Sequence, residues 1–119
     1  IIGTIGNKII FCLPGNPISS IVCSRLFIVE LIRKILGGKN KKLQTRKAVL
    51  CTDVKCSTTK REHYMRAFTF QEGTTQYVKP FPKQDSSLHS VLIKSNCLVI
   101  VPPLSSMKLS GEIVDIVDI

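Results

Sequence analysis

The first apolar run of the chain and the residues after it predict a strand, a tight loop and a long helix. Lys8–Leu13 is apolar after its first residue, a pattern typical of a strand buried on both faces. Pro14-Gly15-Asn16-Pro17 then combines strong chain-breaking residues. Apolar residues from Ile18 to Leu36 follow helical spacing, and Gly37-Gly38 ends the helix. Residues 8–37 therefore predict one piece of an α/β layer without a second strand to pair with, and we expect a fragment of something larger.

After residue 47 the pattern changes to short β-prone runs separated by turn residues. Several short strands at this spacing predict a small all-β barrel or sandwich. Residues 86–96 fit either a short helical turn or a loop. A Lys-rich linker near residues 39–47 marks the expected boundary between two domains. The predicted strands cover residues 48–55, 63–71, 76–81, 97–101 and 112–117.

The net charge of +9 suggests nucleic-acid binding until the charges are located along the chain. Residues 1–47 hold nine Lys and Arg against Glu30 alone. A basic run after a helix end is typical of a solvated linker that complements the helix dipole. No aromatic platform or known reading motif accompanies this charge, so we expect no nucleic-acid partner. The apolar runs are too short to span a bilayer and the N-terminus lacks a signal-peptide pattern, so we expect no membrane insertion.

The cysteine pattern bears on metal binding and on the cellular compartment. The chain has five cysteines, none in a CxxC pair, and two histidines. Four zinc ligands at metal spacing cannot be assembled from these residues, so we expect no metal site in this chain. The odd cysteine count and the apolar neighbours of Cys12 and Cys97 predict buried, reduced thiols, and hence a cytosolic protein.

The loop before the predicted helix has the composition of an anion site. Asn16 before Pro17 predicts a helix N-cap followed by proline at the first helical position. Gly15 permits a close approach of the backbone. Free backbone N–H groups, the helix dipole and the hydroxyls of Ser19 and Ser20 would together attract an anion. A plain capped helix explains the same residues, so the residues alone leave both interpretations open.

Several motifs of the chain resemble one enzyme family. Leu13–Ser19, LPGNPIS, resembles the LPGNPVS signature of the MoeA/gephyrin family of molybdopterin molybdenumtransferases. Arg61–Arg66 is similar to that family's R-x-x-[YF]-x-R segment, and Gln84–Ser86 to its Q-x-S segment. The resemblance covers nearly the whole chain, with the motifs in the family's order. It implies an α+β fragment: residues 1–38 end a MogA-like, molybdopterin-binding α/β domain, residues 39–46 are a basic linker, and residues 47–119 form the β-barrel domain IV.

The resemblance also implies a function. This chain would be a C-terminal part of an enzyme that inserts molybdate into adenylylated molybdopterin and releases AMP, and we expect it to be inactive alone. The family acts as a cytosolic homodimer assisted by Mg²⁺, whose ligands we expect outside this chain. No catalytic residue is assigned. The residues implied to bind molybdate or molybdopterin are Pro14, Gly15, Asn16, Pro17, Ser19, Arg61, Arg66 and Ser86.

Each implied ligand has a chemical rationale and an ordinary alternative. The Ser19 hydroxyl would donate to an oxyanion, with Ser86 as a second hydroxyl. The two arginines offer planar forks of donors that suit a tetrahedral oxyanion. Arg66 could instead pack on the strand face that it shares with Tyr64 and Phe68, or pair with a surface acid. Two residues depart from the family pattern: Asp85, which would repel molybdate if it points inward, and His89, which is better explained as a loop or core histidine.

Two other functions compete with the enzymatic one. The gephyrin branch of the family also clusters receptors by binding a receptor-loop peptide, and Pro102-Pro103 resembles its double-proline segment. Peptide capture would need an exposed apolar groove near Pro103 and Met107. An RNA-binding barrel would bind with steep salt dependence, which the location of the charge disfavours.

Overall fold

A β-hairpin and a helix make up the first of the two units into which the chain divides, residues 1–43 and 44–119. This computed structural model describes residues 1–38, 43–55, 57–82, 84 and 89–119. Strands β1 (Ile2–Ile5) and β2 (Lys8–Phe11) pair antiparallel. The prediction of an unpaired strand buried on both faces is therefore wrong: β2 has a partner, and its side chains are exposed apart from the half-buried Phe11. The four-residue β1 contains Gly and Thr and lacks the apolar run by which β2 was recognised.

The predicted long helix forms, with one interruption. Helix α1 (Pro17–Cys23) continues as a π-helical turn, Ser24–Ile28, into helix α2 (Val29–Ile35). Arg25 and Arg33 both donate to Glu30 Oε1, at 3.1 and 2.7 Å. The five-residue separation of Arg25 and Glu30 suits the wider π turn, which helical periodicity alone does not reveal.

The helix ends where the glycines predict. Gly37 has a φ of +83°, and its N–H donates to the Lys34 carbonyl at 3.1 Å. The Gly38 N–H donates to the Arg33 carbonyl at 2.8 Å, which completes a Schellman motif. A Cβ on Gly38 would lie 2.7 Å from that carbonyl oxygen, so this position requires glycine.

Most apolar side chains of the first unit are exposed. Among its described residues, Ile18 is the single hydrophobic side chain that is buried. An isolated two-stranded hairpin is marginally stable at best in water, and this one has little core to add. Local hydrogen bonds therefore account for the shape of this unit better than packing does. No helix among the described residues is long and apolar enough to cross a membrane.

The second unit is a closed five-stranded barrel, which decides between the predicted barrel and sandwich. Its strands run in the order β3-β5-β4-β6-β7, and β7 pairs back with β3. The pairing of β3 with β5 is parallel, whereas the other pairings are antiparallel. A short helix, α3 (His89–Lys94), precedes β6. The strands are β3 (Arg46–Leu50), β4 (His63–Glu72), β5 (Thr75–Pro80), β6 (Cys97–Val101) and β7 (Ile113–Asp118).

The barrel interior is filled by small and β-branched side chains. Alternate residues of each strand point inward, so the core draws on all five strands. Leu98 and Val117 are also fully buried although they lie on the opposite faces of β6 and β7, so the wall there is covered on both sides. The core cluster consists of Ala48, Leu50, Val54, Ala67, Val78, Cys97, Val99, Val101, Val114 and Ile116.

The cysteines divide between surface and core. Cys97 is fully buried, as predicted, and burial is the main cause that raises its pKa to about 12. Cys12 is exposed, so the prediction that it is buried is wrong. It follows a hairpin strand whose apolar residues are themselves exposed, so apolar sequence neighbours did not imply a core. Cys23 and Cys51 are half-buried, and Cys56 lies outside the described residues.

Replacing Ile116 by alanine should lower the free energy of unfolding of the barrel by about 2–5 kcal/mol, because it leaves a cavity in a closed core. Ile113→Ala, on the same strand but 65% exposed, is the matched control and should change it by no more than about 0.5 kcal/mol. Urea denaturation followed by circular dichroism measures both. Equal losses for the two variants would contradict this assignment of the core.

The exposed and buried thiols should differ in reactivity. We expect iodoacetamide at pH 8 to alkylate Cys12 rapidly and to leave Cys97 unmodified in the folded protein, since the reactive thiolate is suppressed by burial. Peptide mass mapping identifies the modified residues, and labelling in denaturant is the control.

Burial of Cys97 also makes the stability of the barrel depend on pH. Because the folded-state pKa of Cys97 is raised, the contribution of its protonated thiol to the free energy of unfolding is present below the unfolded pKa of about 9 and is lost as the pH rises towards 12.

Candidate oxyanion-binding site

The start of helix α1 is capped as predicted, and the cap consumes the donors expected to bind an anion. Asn16 Oδ1 accepts the Ile18 and Ser19 N–H groups at 3.0 and 3.2 Å. The Ser20 N–H donates to the Asn16 carbonyl at 3.0 Å, and Pro17 has no N–H to offer. The expectation of free backbone donors at this helix start is therefore wrong.

Two side-chain hydroxyls, those of Ser19 and Ser20, lie in the first turn of the helix, where the cap occupies the backbone N–H groups. The Ser20 hydroxyl donates to the Pro14 carbonyl, which ties the first turn of the helix to the loop before it. Ser19 is half-buried, and its hydroxyl has no hydrogen-bond partner among the residues that the structure describes. Pro14, Gly15 and Pro17 are exposed and shape the loop. Ser19 is thus the residue of this loop that is best suited to contact a ligand.

Arg61 lies on the surface, in the loop that leads into β4, and a threonine holds its backbone. Thr59 Oγ1 donates to the Arg61 carbonyl at 3.2 Å and accepts the Arg61 N–H at 3.4 Å. The same oxygen lies 2.7 Å from His63 Nε2. Since the one hydroxyl proton goes to the carbonyl, we assign the proton of the 2.7 Å contact to His63 Nε2. The sequence did not lead us to expect a role for Thr59 or His63; a threonine two residues before Arg61 is the signal that could have indicated this contact.

Glu62, the acid of this loop, is hydrogen-bonded to a tyrosine of β4. The Tyr64 hydroxyl donates to Glu62 Oε1 at 2.5 Å. Partial burial of Tyr64, followed by this hydrogen bond, raises its pKa to about 12. The phenol therefore remains protonated, and able to donate, throughout the physiological pH range.

Arg66 differs from Arg61 in being 4% exposed, in the middle of β4. Its N–H donates to Gln84 Oε1 at 2.9 Å, and its carbonyl accepts from Gln84 Nε2 and from the Phe81 N–H, each at 3.0 Å. Because β5 ends at Pro80, the Gln84 amide continues the hydrogen-bond ladder where the neighbouring strand stops. This burial agrees with the packing alternative for Arg66.

A second side-chain amide, that of Asn96, also pairs with the backbone N–H and carbonyl of a β4 residue. Asn96 Oδ1 accepts the Thr69 N–H at 2.8 Å, and Asn96 Nδ2 donates to the Thr69 carbonyl at 3.0 Å. The connection between β5 and β6 is thus anchored to β4 by Gln84 near its start and by Asn96 at its end. Ser86 and Asp85 lie outside the described residues, and His89 begins α3.

The two units each hold part of the predicted set. Ser19 and the Pro14–Pro17 loop belong to the first unit, and Arg61 and Arg66 to the second. In the second unit the structure brings Thr59, Arg61 and His63 into one hydrogen-bonded cluster. The cluster holds the Arg61 backbone, and the exposed guanidinium beyond it offers two parallel donors to a tetrahedral oxyanion. No group of three His, Cys, Asp or Glu residues within the described segments lies close enough to hold a metal ion.

An aromatic stack on the barrel surface was not expected from the sequence. Phe70 stacks against Phe68 and against Tyr77, with ring centroids 6.4 and 5.7 Å apart. Phe68 is 45% exposed. The stack arises because β4 and β5 are paired with Phe70 opposite Tyr77, a register that the sequence does not display. This stack does not test the expectation that the chain binds no nucleic acid, which stays a prediction.

Comparisons with known proteins place these motifs in one family. Residues 47–119 match the family model of the MoeA C-terminal region, domain IV. Molybdopterin molybdenumtransferase 1 of Mycobacterium tuberculosis is 31% identical over 111 residues, which cover 89% of this chain and 26% of that protein. The molybdopterin molybdenumtransferase of Haemophilus influenzae is 30% identical over 109 residues, which cover 89% of this chain and 27% of that protein.

A solved structure agrees with these relatives. The molybdopterin biosynthesis MoeA protein of Pyrococcus horikoshii superposes with a TM-score of 0.75 at 25% identity, over 98% of this chain and 28% of that one. This chain therefore spans about a quarter of the length of the transferases that it matches.

Replacing Gln84 by glutamate should lower the free energy of unfolding by about 1–3 kcal/mol, because a carboxylate cannot donate to the carbonyls of Arg66 and Phe81. It can still accept the Arg66 N–H, so protection of that amide from hydrogen exchange should survive in Gln84→Glu and disappear in Gln84→Ala. Gln71→Glu, at an exposed glutamine of β4 whose Nε2 donates to the Gly73 carbonyl at 3.0 Å, is the control and should be nearly neutral. Loss of Arg66 protection in both Gln84 variants would contradict the assigned geometry.

Proposed function

The chain belongs to the MoeA family, with residues 47–119 as its C-terminal region, and we propose that it acts in molybdenum cofactor biosynthesis as part of a molybdopterin molybdenumtransferase. The observation that carries this proposal is the match of 89% of the chain to proteins named as such transferases. The proposed reaction is the insertion of molybdate into adenylylated molybdopterin with release of AMP. Because this chain spans about a quarter of those relatives, we assign it a share of the substrate site and not the whole activity.

In this proposal Arg61 is the principal molybdate ligand. Its exposed guanidinium supplies a fixed positive charge and parallel donors, and the Thr59 hydroxyl fixes the backbone that presents it. Arg66 adds positive charge from within the barrel wall, where the surroundings screen it less than water would.

The loop of the first unit supplies a hydroxyl donor and shape. In this proposal Ser19 donates its hydroxyl to an oxyanion, and Ser86 of the second unit is proposed as a further hydroxyl donor. The capping bonds of Asn16 and the tie from Ser20 to Pro14 keep the loop in one conformation, so little reorganisation is needed when an anion binds. The contribution of these residues is electrostatic preorganisation; none of them is assigned a covalent step.

Mg²⁺, homodimerisation and a cytosolic location complete the proposal, each on the family resemblance. Within the described residues, no group of three or more His, Cys, Asp or Glu side chains could hold a metal ion. On the family resemblance we propose that the Mg²⁺ ligands lie outside this chain, and we assign no step to the ion.

Binding of a receptor-loop peptide is a second candidate, favoured by one observation. A largely apolar pocket of about 150 Å³ lies at the barrel end between β6 and β7. Pro102 and Lys108 are among its lining residues, and Leu104 and Met107 are exposed in the loop between them. Pro103 and Met107, where a peptide groove was expected, are not among its lining residues, so the pocket offers one apolar contact beside this loop. Oxyanion selectivity that depends on Arg61 separates the two candidates, because a peptide pocket has no need of it.

Arg61→Ala should weaken the affinity of the chain for molybdate, with tungstate as a heavier proxy, by about tenfold or more, because a bidentate charged contact is lost. Lys60→Ala is the matched control: it removes the same charge from the neighbouring exposed residue and should change the affinity less than threefold, roughly the effect of one screened surface charge. Isothermal titration against a sulfate competitor, at two salt concentrations, measures both. Equal effects of the two variants, or binding no stronger than that of sulfate, would contradict an Arg61 site in this chain.

A further inference from the structure

The loop that presents Arg61 also contains Glu62, whose carboxylate would disfavour anion binding if it lay close to the guanidinium. Residues 60–63 are Lys60, Arg61, Glu62 and His63, so Glu62 is the one acid among basic neighbours. Glu62 follows Arg61 directly in the sequence. A free carboxylate there would compete with an incoming oxyanion for the guanidinium, and its negative charge would repel the anion. The usefulness of Arg61 therefore depends on where Glu62 is held.

The structure shows Glu62 held by a different residue. The Tyr64 hydroxyl donates to Glu62 Oε1, and none of the ion pairs formed among the described residues includes Glu62. Thr59 Oγ1 instead holds the backbone N–H and carbonyl of Arg61 and the ring of His63, which leaves the Arg61 guanidinium outside these bonds. Neighbouring residues of the loop are thus held at two hydroxyls: the Glu62 carboxylate at Tyr64, and the Arg61 backbone with the His63 ring at Thr59.

Tyr64 is well placed to act as a fixed anchor. It lies in β4, paired with Ile100 of β6, and its ring is half-buried. A phenol has two rotatable side-chain bonds, so little entropy is lost when it holds a partner. Its raised pKa keeps the hydroxyl proton in place at neutral pH, so the phenol remains a donor to the Glu62 carboxylate.

We propose that Tyr64 is a positioning residue of the oxyanion site: its hydroxyl holds the Glu62 carboxylate away from Arg61, so that the guanidinium stays available to an oxyanion. This inference rests on the proposed function, since it concerns the same site. Tyr64 itself does not touch the ligand. It removes a competitor that this chain places next to its own ligand residue.

A double-mutant cycle tests the proposal. Tyr64→Phe keeps the ring and removes the hydroxyl, so Glu62 is released and the affinity for molybdate should fall roughly threefold to tenfold, the effect of one unit charge a few ångströms away in a partly screened site. Glu62→Gln should bind at least as tightly as the unsubstituted chain. The double variant should match Glu62→Gln, because no carboxylate remains to be released. A purely structural role of the hydroxyl would instead weaken binding in both backgrounds.

A second measurement reports on Arg61 without any ligand. In Tyr64→Phe the released carboxylate should pair with Arg61, which would shift and order its ¹⁵Nε resonance, and Glu62→Gln in the same chain should reverse the change. Tyr77→Phe, which removes a hydroxyl from the barrel surface elsewhere, is the matched control and should leave both the affinity and the resonance unchanged.

The outcomes separate this inference from the proposed function. If the unsubstituted chain does not bind molybdate in preference to sulfate, the proposed site fails, and the Arg61 resonance alone decides whether Tyr64 restrains Glu62. If molybdate binds but Tyr64→Phe has no effect, the inference is overturned. It is equally overturned if the loss in Tyr64→Phe persists when Glu62 is replaced by glutamine.

Discussion

Closure of the barrel through β3 is the constraint on which the second unit depends. This five-residue strand pairs parallel with β5 on one side and antiparallel with β7 on the other, so the sheet has no free edge at that point. Two ion pairs bridge β3 and β7, Arg46 with Asp118 and Lys47 with Asp115, but such exposed pairs contribute little. The main stabilisation comes from the core that closure encloses, since Leu50, Val78 and Ile116 lose nearly all contact with water.

Side-chain amides extend this closed ladder where the strands run out. Gln84 satisfies both backbone groups of Arg66 beyond the end of β5, and Asn96 satisfies both groups of Thr69. An unpaired backbone group in a buried strand would be costly, so these two amides stabilise β4 as well as the connection that they anchor. The strand that leads from the Arg61 loop is therefore restrained along its length. Rigid support of this kind is what a charge-based binding site requires.

The first unit is organised by local interactions and not by a core. The Asn16 cap, the Glu30 pairs and the Gly37-Gly38 motif each join residues close together in the sequence. Such bonds set helix ends and loop shape, but they bury little apolar surface. The exposed Ile and Phe side chains of this unit show that its packing is not satisfied by its own residues.

The sequence by itself determined the strands of the barrel, the capped helix with its glycine stop, and the family, but it did not reveal β1. Strand runs, the Asn16 cap and the glycine stop depend on residues within a few positions of each other, so periodicity and turn chemistry reveal them. The pairing of β1 with β2, the burial of Arg66, the exposure of Cys12 and the partners of Thr59 and Tyr64 were decided in the folded chain. The hydrogen bonds between Gln84 and Arg66 join residues 18 positions apart in the sequence, and those between Arg46 and Asp118 join residues 72 positions apart. Contacts of that range follow from strand register and barrel closure, which no local pattern encodes because they depend on how all the strands pack at once.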